Sequence, residues 1–225
     1  MKAMLNNQWF RTIVSTMIGI IAGLYITNAF ENRKLVKAKN IALEQVAIEI
    51  ANNRDTLQIY HDTLTSLFNA SAHVLPQINT DKLIIHKDSL DNFIRQSKRI
   101  FTYEEHESHT KDSIRLSGEL GIYFTSRLAI LDLTQITWEA YKQANLLGIT
   151  SFECLRSLED LYSLQEYVSK SNEEWRNIFI KLEFMKDSKS RADFLSLWEV
   201  LLRKQSLLLQ FYEGFQEEEM MKNCS

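Results

Sequence analysis

The longest pattern in the chain runs from Arg11 to Phe68 and changes character once along the way. Between Arg11 and Glu31 there is no charged residue. The run TIVSTMIGIIAGLYITNAF, Thr12 to Phe30, would extend about 28 Å as a helix, close to the hydrocarbon thickness of a bilayer. Trp9 and Phe10 precede it, and Tyr25 and Phe30 lie near its exit, where amphipathic rings favour the headgroup level. The pattern predicts a transmembrane helix over 12–30 behind an N-terminal tail over 1–11. The competing reading is a cleaved signal peptide, with Lys2 and Arg11 as its basic region and Thr27-Asn28-Ala29 as the cleavage site. The length of the apolar run, and a helical pattern that continues through the cut, favour a retained span.

Within the run Ser15, Gly19, Gly23 and Thr27 recur every four residues and so share one helix face. Small residues in register let two backbones approach in lipid, where dispersion contacts drive association. This face is the candidate for self-association.

Beyond the run the period becomes amphipathic. Val36, Leu43, Val46, Ile50, Leu57, Tyr60, Leu64 and Leu67 alternate at three and four residues, interrupted by Lys39 and Asn53, which is a sustained heptad seam. Asn53 reads either as a device that fixes coiled-coil register or as a wet spot on a bundle helix. Pro76 ends this juxtamembrane helix over 31–75, because the residue before proline is disfavoured in helix.

The region 76–225 reads as a helical domain packing on that helix. One helix is expected from Asp88 or Ser89 through Phe93 and Ile100. The run Thr102–Asp112 reads as an exposed loop, and the apolar groups Ile114–Leu116 and Ile122–Phe124 allow a small β-hairpin near 114–124. Helical signals return at Arg127 and stop at Gly148. Ser151 can cap the next helix, and Ser171 with Glu174 has the spacing of a capping box that would start another. A polar joint at Asp187–Ser190 precedes a last helix with Phe194, Leu197, Leu201, Leu208, Phe211 and Phe215 in three-four spacing, broken by Lys204. Its length suits antiparallel packing on the juxtamembrane helix. One Pro and six Gly in 225 residues agree with an all-α class.

Charge and cysteines narrow the function. A net charge of −3 and a pI near 6.0 argue against a general nucleic-acid binder. The one basic cluster, Arg33, Lys34, Lys37 and Lys39, adjoins the apolar run, where contact with anionic headgroups is its plainest role. The same residues lean weakly toward a cytoplasmic C-terminal part, but long domains translocate largely regardless of flanking charge. Cys154 and Cys224 have no metal-ligand spacing and identify no redox compartment.

Candidate chemistry is sparse. His106 and His109 lie near Glu104, Glu105 and Glu107 but lack the H-E-x-x-H order that puts two imidazoles on one helical face. A flexible acidic segment with no metal is the better reading. His61, His73 and His86 are isolated. No motif marks a nucleophile or a phosphate loop, and Trp138, Tyr141, Trp175 and Trp198 have the spacing of core aromatics more than of a pocket wall. Neither a catalytic residue nor a cofactor is expected.

Two segments carry a family resemblance. Asn28-Ala29-Phe30-Glu31-Asn32-Arg33-Lys34 at the end of the apolar run, and Thr137-Trp138-Glu139-Ala140, resemble a family of uncharacterised bacterial single-pass membrane proteins, a domain of unknown function. The N-terminal tail is shorter than in that pattern, and Asn145-Leu146 replaces a Ser-Gly-like pair. The resemblance implies a membrane location and a helical soluble region, and no activity. The expected function is therefore a non-enzymatic single-pass protein of the bacterial inner membrane, a scaffold or interaction module. Its expected partners are membrane lipid, a second copy of the chain or another membrane protein, and no nucleic acid. The rivals are a ligand-sensing helical domain acting through a partner and, with only the histidine segment behind it, a membrane-attached hydrolase.

Overall fold

The computed structural model describes residues 8–79, 82–97, 101–120, 131–216 and 224. Helix α1 runs from Gln8 to Val74, about 100 Å at the helical rise. It contains no proline, and glycine only at Gly19 and Gly23. It stops where Pro76 forces its predecessor out of helix, in the 3₁₀ turn Leu75–Gln77. Every described side chain from Ser15 to Ala38 is exposed, and burial begins at Lys39. From there Leu43, Val46, Ile50, Leu57, Tyr60, Leu64 and Leu67 are buried, as the heptad spacing predicts, whereas Val36, the first residue of the expected seam, is 49% exposed because the bundle begins beyond it.

Two later helices fill that seam, α4 at Phe152–Ile180 and α5 at Ser188–Gln216. Pairings of Glu49 with Tyr162, Asn53 with Gln165 and Tyr60 with Asn172 rise together along both chains, so α4 is parallel to α1. His61 meets Gln205, and Phe68 meets Trp198, so α5 is antiparallel. The seam is thus occupied within one chain. Of the last helix's expected core positions, Phe211 is 39% exposed.

At the turn between α4 and α5, Trp175, Phe179, Phe184, Phe194 and Trp198 stack with ring centroids 4.4–6.1 Å apart, a cluster that adds aromatic contact to area burial. Leu182 takes the left-handed φ of 52° that reverses the chain. Asp187 Oδ1 accepts from Ser190 N at 2.6 Å, an N-cap for α5. That bond holds the Asp187 carboxyl below its usual range. Ser151 caps α4 by accepting from Cys154 N, as expected.

Other expectations are corrected. Ser171 and Glu174 start no helix: α4 runs through them, and Ser171 Oγ donates to Tyr167 O four residues back. A hydroxyl can satisfy itself this way in mid-helix, so the motif alone does not make a boundary. The chain is mostly helical and forms the expected bundle, but its β part is larger than a single small hairpin. Strands β1 (Ile78–Asn79), β2 (Lys82–His86), β3 (Phe101–Ser108) and β4 (Ser113–Leu120) form an antiparallel sheet in the order β1-β2-β4-β3. Residues 117–120, between the two apolar groups of the expected hairpin, lie inside β4, and of the segment read as an exposed loop, Thr102–Ser108 belongs to β3 while 109–112 forms the turn into β4. Leu83, Ile85, Ile114 and Leu116 alternate inward onto Phe93 of α2 (Leu90–Ser97), so one apolar face suffices for the sheet. A charged edge strand shows little apolar alternation to read. Residues 121–130, including the start of the helix expected from Arg127 and the second arm of the hairpin, lie outside the described residues. Residues 131–135 have no regular structure, and α3 begins at Ile136 and ends at Gln143.

The transmembrane span is corrected as well. Among the described residues no helix is long and apolar enough to cross a membrane. The apolar run is broken at its exit by Asn28, Glu31 and Asn32.

A disulfide joins Cys154, in the first turn of α4, to Cys224, closing a separation of 70 residues. A loop of this size removes about 4 kcal/mol of unfolded-state entropy in the chain-entropy model.

Because Ile50 is fully buried in the core of the chain's own bundle, Ile50→Asp is expected to unfold the bundle, since an unpaired buried charge costs several kcal/mol. Ile50→Val should cost about 1 kcal/mol. Urea denaturation followed by circular dichroism reads both. A folded, fully helical Ile50→Asp monomer would show that the seam is filled between chains.

Candidate functional site

Two features of α1 stand out, one outside the bundle and one inside it. On the outside, Met17, Ile18, Ile20, Ile21, Leu24, Tyr25, Ile26 and Phe30 are each more than half exposed. At 3.6 residues per turn they lie all round the helix, and a helix apolar on every side requires an apolar surround. The expected association face, Ser15, Gly19, Gly23 and Thr27, is exposed along one side. A Cβ placed on Gly19 or Gly23 would meet nothing within 4 Å, so the fold itself places no demand for glycine there. Thr27 Oγ1 donates to Gly23 O at 2.9 Å, which uses its hydroxyl hydrogen inside the helix.

The basic cluster divides. Arg33, Lys34 and Lys37 are exposed at the end of the apolar girdle. A shallow groove of about 490 Å³ runs there along Asn32, Arg33, Val36, Lys37, Asn40, Ile41 and Glu44. Lys39 is 7% exposed and donates to the carbonyl of Cys224 at 3.1 Å. It does not join the other three at the surface.

Inside the bundle, Glu49 and Asn53 sit one turn apart and are both buried. Glu49 Oε1 accepts from Tyr162 OH at 2.7 Å, and Oε2 accepts from Thr137 N at 2.9 Å and Thr134 Oγ1 at 3.3 Å. Asn53 brackets Thr134, donating to its carbonyl at 2.6 Å and accepting from its N–H at 3.0 Å. Gln165 donates to the carbonyls of Leu133 and Thr134 and accepts from Tyr212 OH at 2.7 Å and from Asn53. A buried carboxylate is tolerated when its lone pairs are filled in this way. The network holds α1, α4, α5 and residues 133–137 in one register. Its acceptors are occupied by donors of the fold, which makes it structural. Asn53 is thus a register device, but within one chain.

Sequence reasoning missed Glu49, Tyr162, Gln165 and Tyr212. The one available signal was an acid adjoining the seam position Ile50.

The other residues singled out by the sequence stay apart. Trp138, Tyr141, Trp175 and Trp198 are core, each 1% exposed. Trp138 stacks on Tyr162 with centroids 5.6 Å apart, and the Tyr141 hydroxyl bonds Thr150. His106 lies in β3 opposite Leu116 in register. His109, in the turn after it, is exposed with Nδ1 3.1 Å from Arg115 Nη2. The side chains of Glu104, Glu105 and His106 lie outside the described residues. Among the described residues no group of three His, Cys, Asp or Glu is placed to hold a metal ion. His61 is half-buried between Gln205 and Ser206, at 3.2 and 3.3 Å. His86 accepts from Asp88 N, and His73 is exposed.

Burial gives the hub an alkaline limit. Desolvation pushes Tyr60 up to about 12, partly offset by its bond to Asn172. It also raises Tyr162 and Tyr212, with the Glu49 carboxylate adding to both. A phenol whose folded value lies above its unfolded value of 10.0 holds its proton more tightly in the fold, so this stability is whole below that value and is lost as pH rises toward and past the folded one. Stability measured by denaturant titration is therefore expected to fall steeply from about pH 10 to 12. Tyr60→Phe should flatten that fall at a cost of about 1 kcal/mol at pH 7, and Glu49→Ala should cost about 3 kcal/mol there by removing the acceptor of three donors, Tyr162 OH, Thr137 N and Thr134 Oγ1.

Comparison of the chain with protein-family models, with curated proteins and with solved structures returned no match.

Proposed function

We propose that this protein is a non-enzymatic helical scaffold or interaction module that associates with a membrane surface through the exposed apolar side chains of α1 between Met17 and Phe30. The observation that supports this reading is the girdle from Met17 to Phe30: large apolar side chains exposed on all sides of the helix, followed at once by exposed Arg33, Lys34 and Lys37. Apolar side chains this exposed favour an apolar surround, and the interfacial layer of a membrane supplies one. The basic residues then meet anionic headgroups, each worth about 1 kcal/mol. The resemblance to uncharacterised bacterial membrane proteins favours the bacterial inner membrane. Pairing of two copies through Ser15, Gly19, Gly23 and Thr27 belongs to the same reading.

Flotation of the full chain with vesicles tests it. The chain is expected to float with zwitterionic and more strongly with anionic vesicles. The triple variant Ile18→Asn, Ile21→Asn, Leu24→Asn should lose at least tenfold in partitioning, from loss of buried apolar area, with an unchanged melting midpoint because these side chains touch nothing in the bundle. Lys34→Glu with Lys37→Glu should weaken binding on anionic vesicles only. In detergent, Gly19→Leu with Gly23→Leu should abolish crosslinked dimers. A triple variant that floats like the parent would defeat the proposal.

A second reading, ligand sensing, has one observation behind it. A cleft of about 540 Å³ opens at the opposite end of α1, between Phe68, Ala72 and Pro76 on one side and Arg191, Ala192, Leu195 and Glu199 of α5 on the other. Its size suits a small amphipathic molecule. A thermal-shift screen of small carboxylates and amines is expected to find stabilisers that Ala192→Trp abolishes if this reading holds, and none if the bundle is a scaffold only.

A further inference from the structure

The two cysteines of the chain meet although 70 residues separate them. Their Cα atoms are 4.9 Å apart, within the range that a disulfide spans without backbone movement, and both residues are 1% exposed. The seat of Cys224 has a second, independent mark. Lys39 interrupts the heptad seam and is buried, and a buried ammonium requires an acceptor. Its partner is the carbonyl of Cys224. Two elements distant in sequence, the start of α4 and the point where α1 enters the bundle, are therefore both built to receive Cys224.

We infer that the bundle matures in an oxidising compartment, where a protein disulfide donor closes Cys154–Cys224 into a clasp that fastens Cys224 at the base of α1. In that step the two thiols lose two protons and two electrons and form the S–S bond, and the donor's disulfide takes them up and leaves as a dithiol. Proteins kept in the cytosol rarely retain such bonds. The clasp lies where burial of α1 begins, at Lys39, directly below the exposed basic residues. It stiffens the joint between the uncovered helix and the bundle. Combined with the lipid reading, on which this corollary alone rests, it puts the bundle on the non-cytoplasmic face.

The test uses the full chain expressed in a bacterial host, with cells quenched in acid and thiols alkylated by a maleimide in denaturant before any exposure to air. Wild-type protein is expected to carry no adduct, and protein from a host lacking its disulfide donor to carry two. The melting midpoint of the unclasped protein in detergent should be about 10 °C lower. Cys154→Ser with Cys224→Ser should melt with the reduced parent and ignore added reductant. An alkaline phosphatase moiety fused after Ser225, which becomes active only where disulfides form, is expected to be active. Two adducts on wild-type protein, with the bond appearing only after aeration, would overturn the inference, as would an abundant but inactive fusion. Flotation of the same preparations separates the two proposals. A chain that floats with free thiols keeps the lipid reading and loses this one, and a clasped chain that stays with the soluble fraction does the reverse.

Discussion

The buried contact between Glu49 and its donors is the constraint on which the arrangement of the bundle depends. A seam of Leu, Val, Ile and Tyr is nearly degenerate along its length, because sliding a partner helix by one heptad buries a similar apolar area. The polar pair on α1 removes that freedom. A carboxylate out of water must find donors, and here they come from Tyr162 on α4 and from Thr134 and Thr137 on the segment before α3. Asn53 and Gln165 then carry the same register to α5 through Tyr212. In any other alignment at least one of these groups would be buried without a partner, at a cost comparable to a substantial share of a domain's stability. The hub contributes specificity more than binding energy, the role best attested for buried polar groups in helical assemblies.

That register sets how much of α1 is covered. Helices α4 and α5 have 29 residues each, about 43 Å, against about 100 Å for α1. Once Tyr162 is tied to Glu49 and Trp198 is packed on Phe68, the bundle occupies α1 from Lys39 onward and cannot extend over Met17–Phe30. The division of the long helix into a covered and an uncovered half follows from length and pinning together. The uncovered half is also the half whose side chains are apolar on every side. A single uninterrupted helix through both halves means that any force on one is felt at the base of the other, where Lys39 and Cys224 meet.

The sheet sits beyond the far end of α1, after the break at Pro76, with its apolar face on α2. It makes the molecule α with a small β annex. Nothing in the hub depends on it, and its edge strand β3 is rich in charge, which discourages further strand pairing.

What the sequence by itself determined was periodic and local. The heptad seam named the buried face of α1 from Leu43 to Leu67, Pro76 named its end, Ser151 named the start of α4 and the polar joint at Asp187–Ser190 placed the start of α5, because spacing, proline sterics and caps act within a few residues of where they are read. The exposed basic residues Arg33, Lys34 and Lys37 were legible for the same reason. The tertiary structure decided what depends on partners distant in the chain. It turned Ser171 from a cap into a buried mid-helix hydroxyl bonded by Lys204, and Thr102–Ser108 from a loop into a strand, since a polar segment becomes a strand only when β4 lies beside it. It took Lys39 from the surface and gave it to Cys224, and joined Cys224 to Cys154. It also decided that the seam is filled by the same chain, because a hydrophobic stripe specifies that it must be covered but not by what.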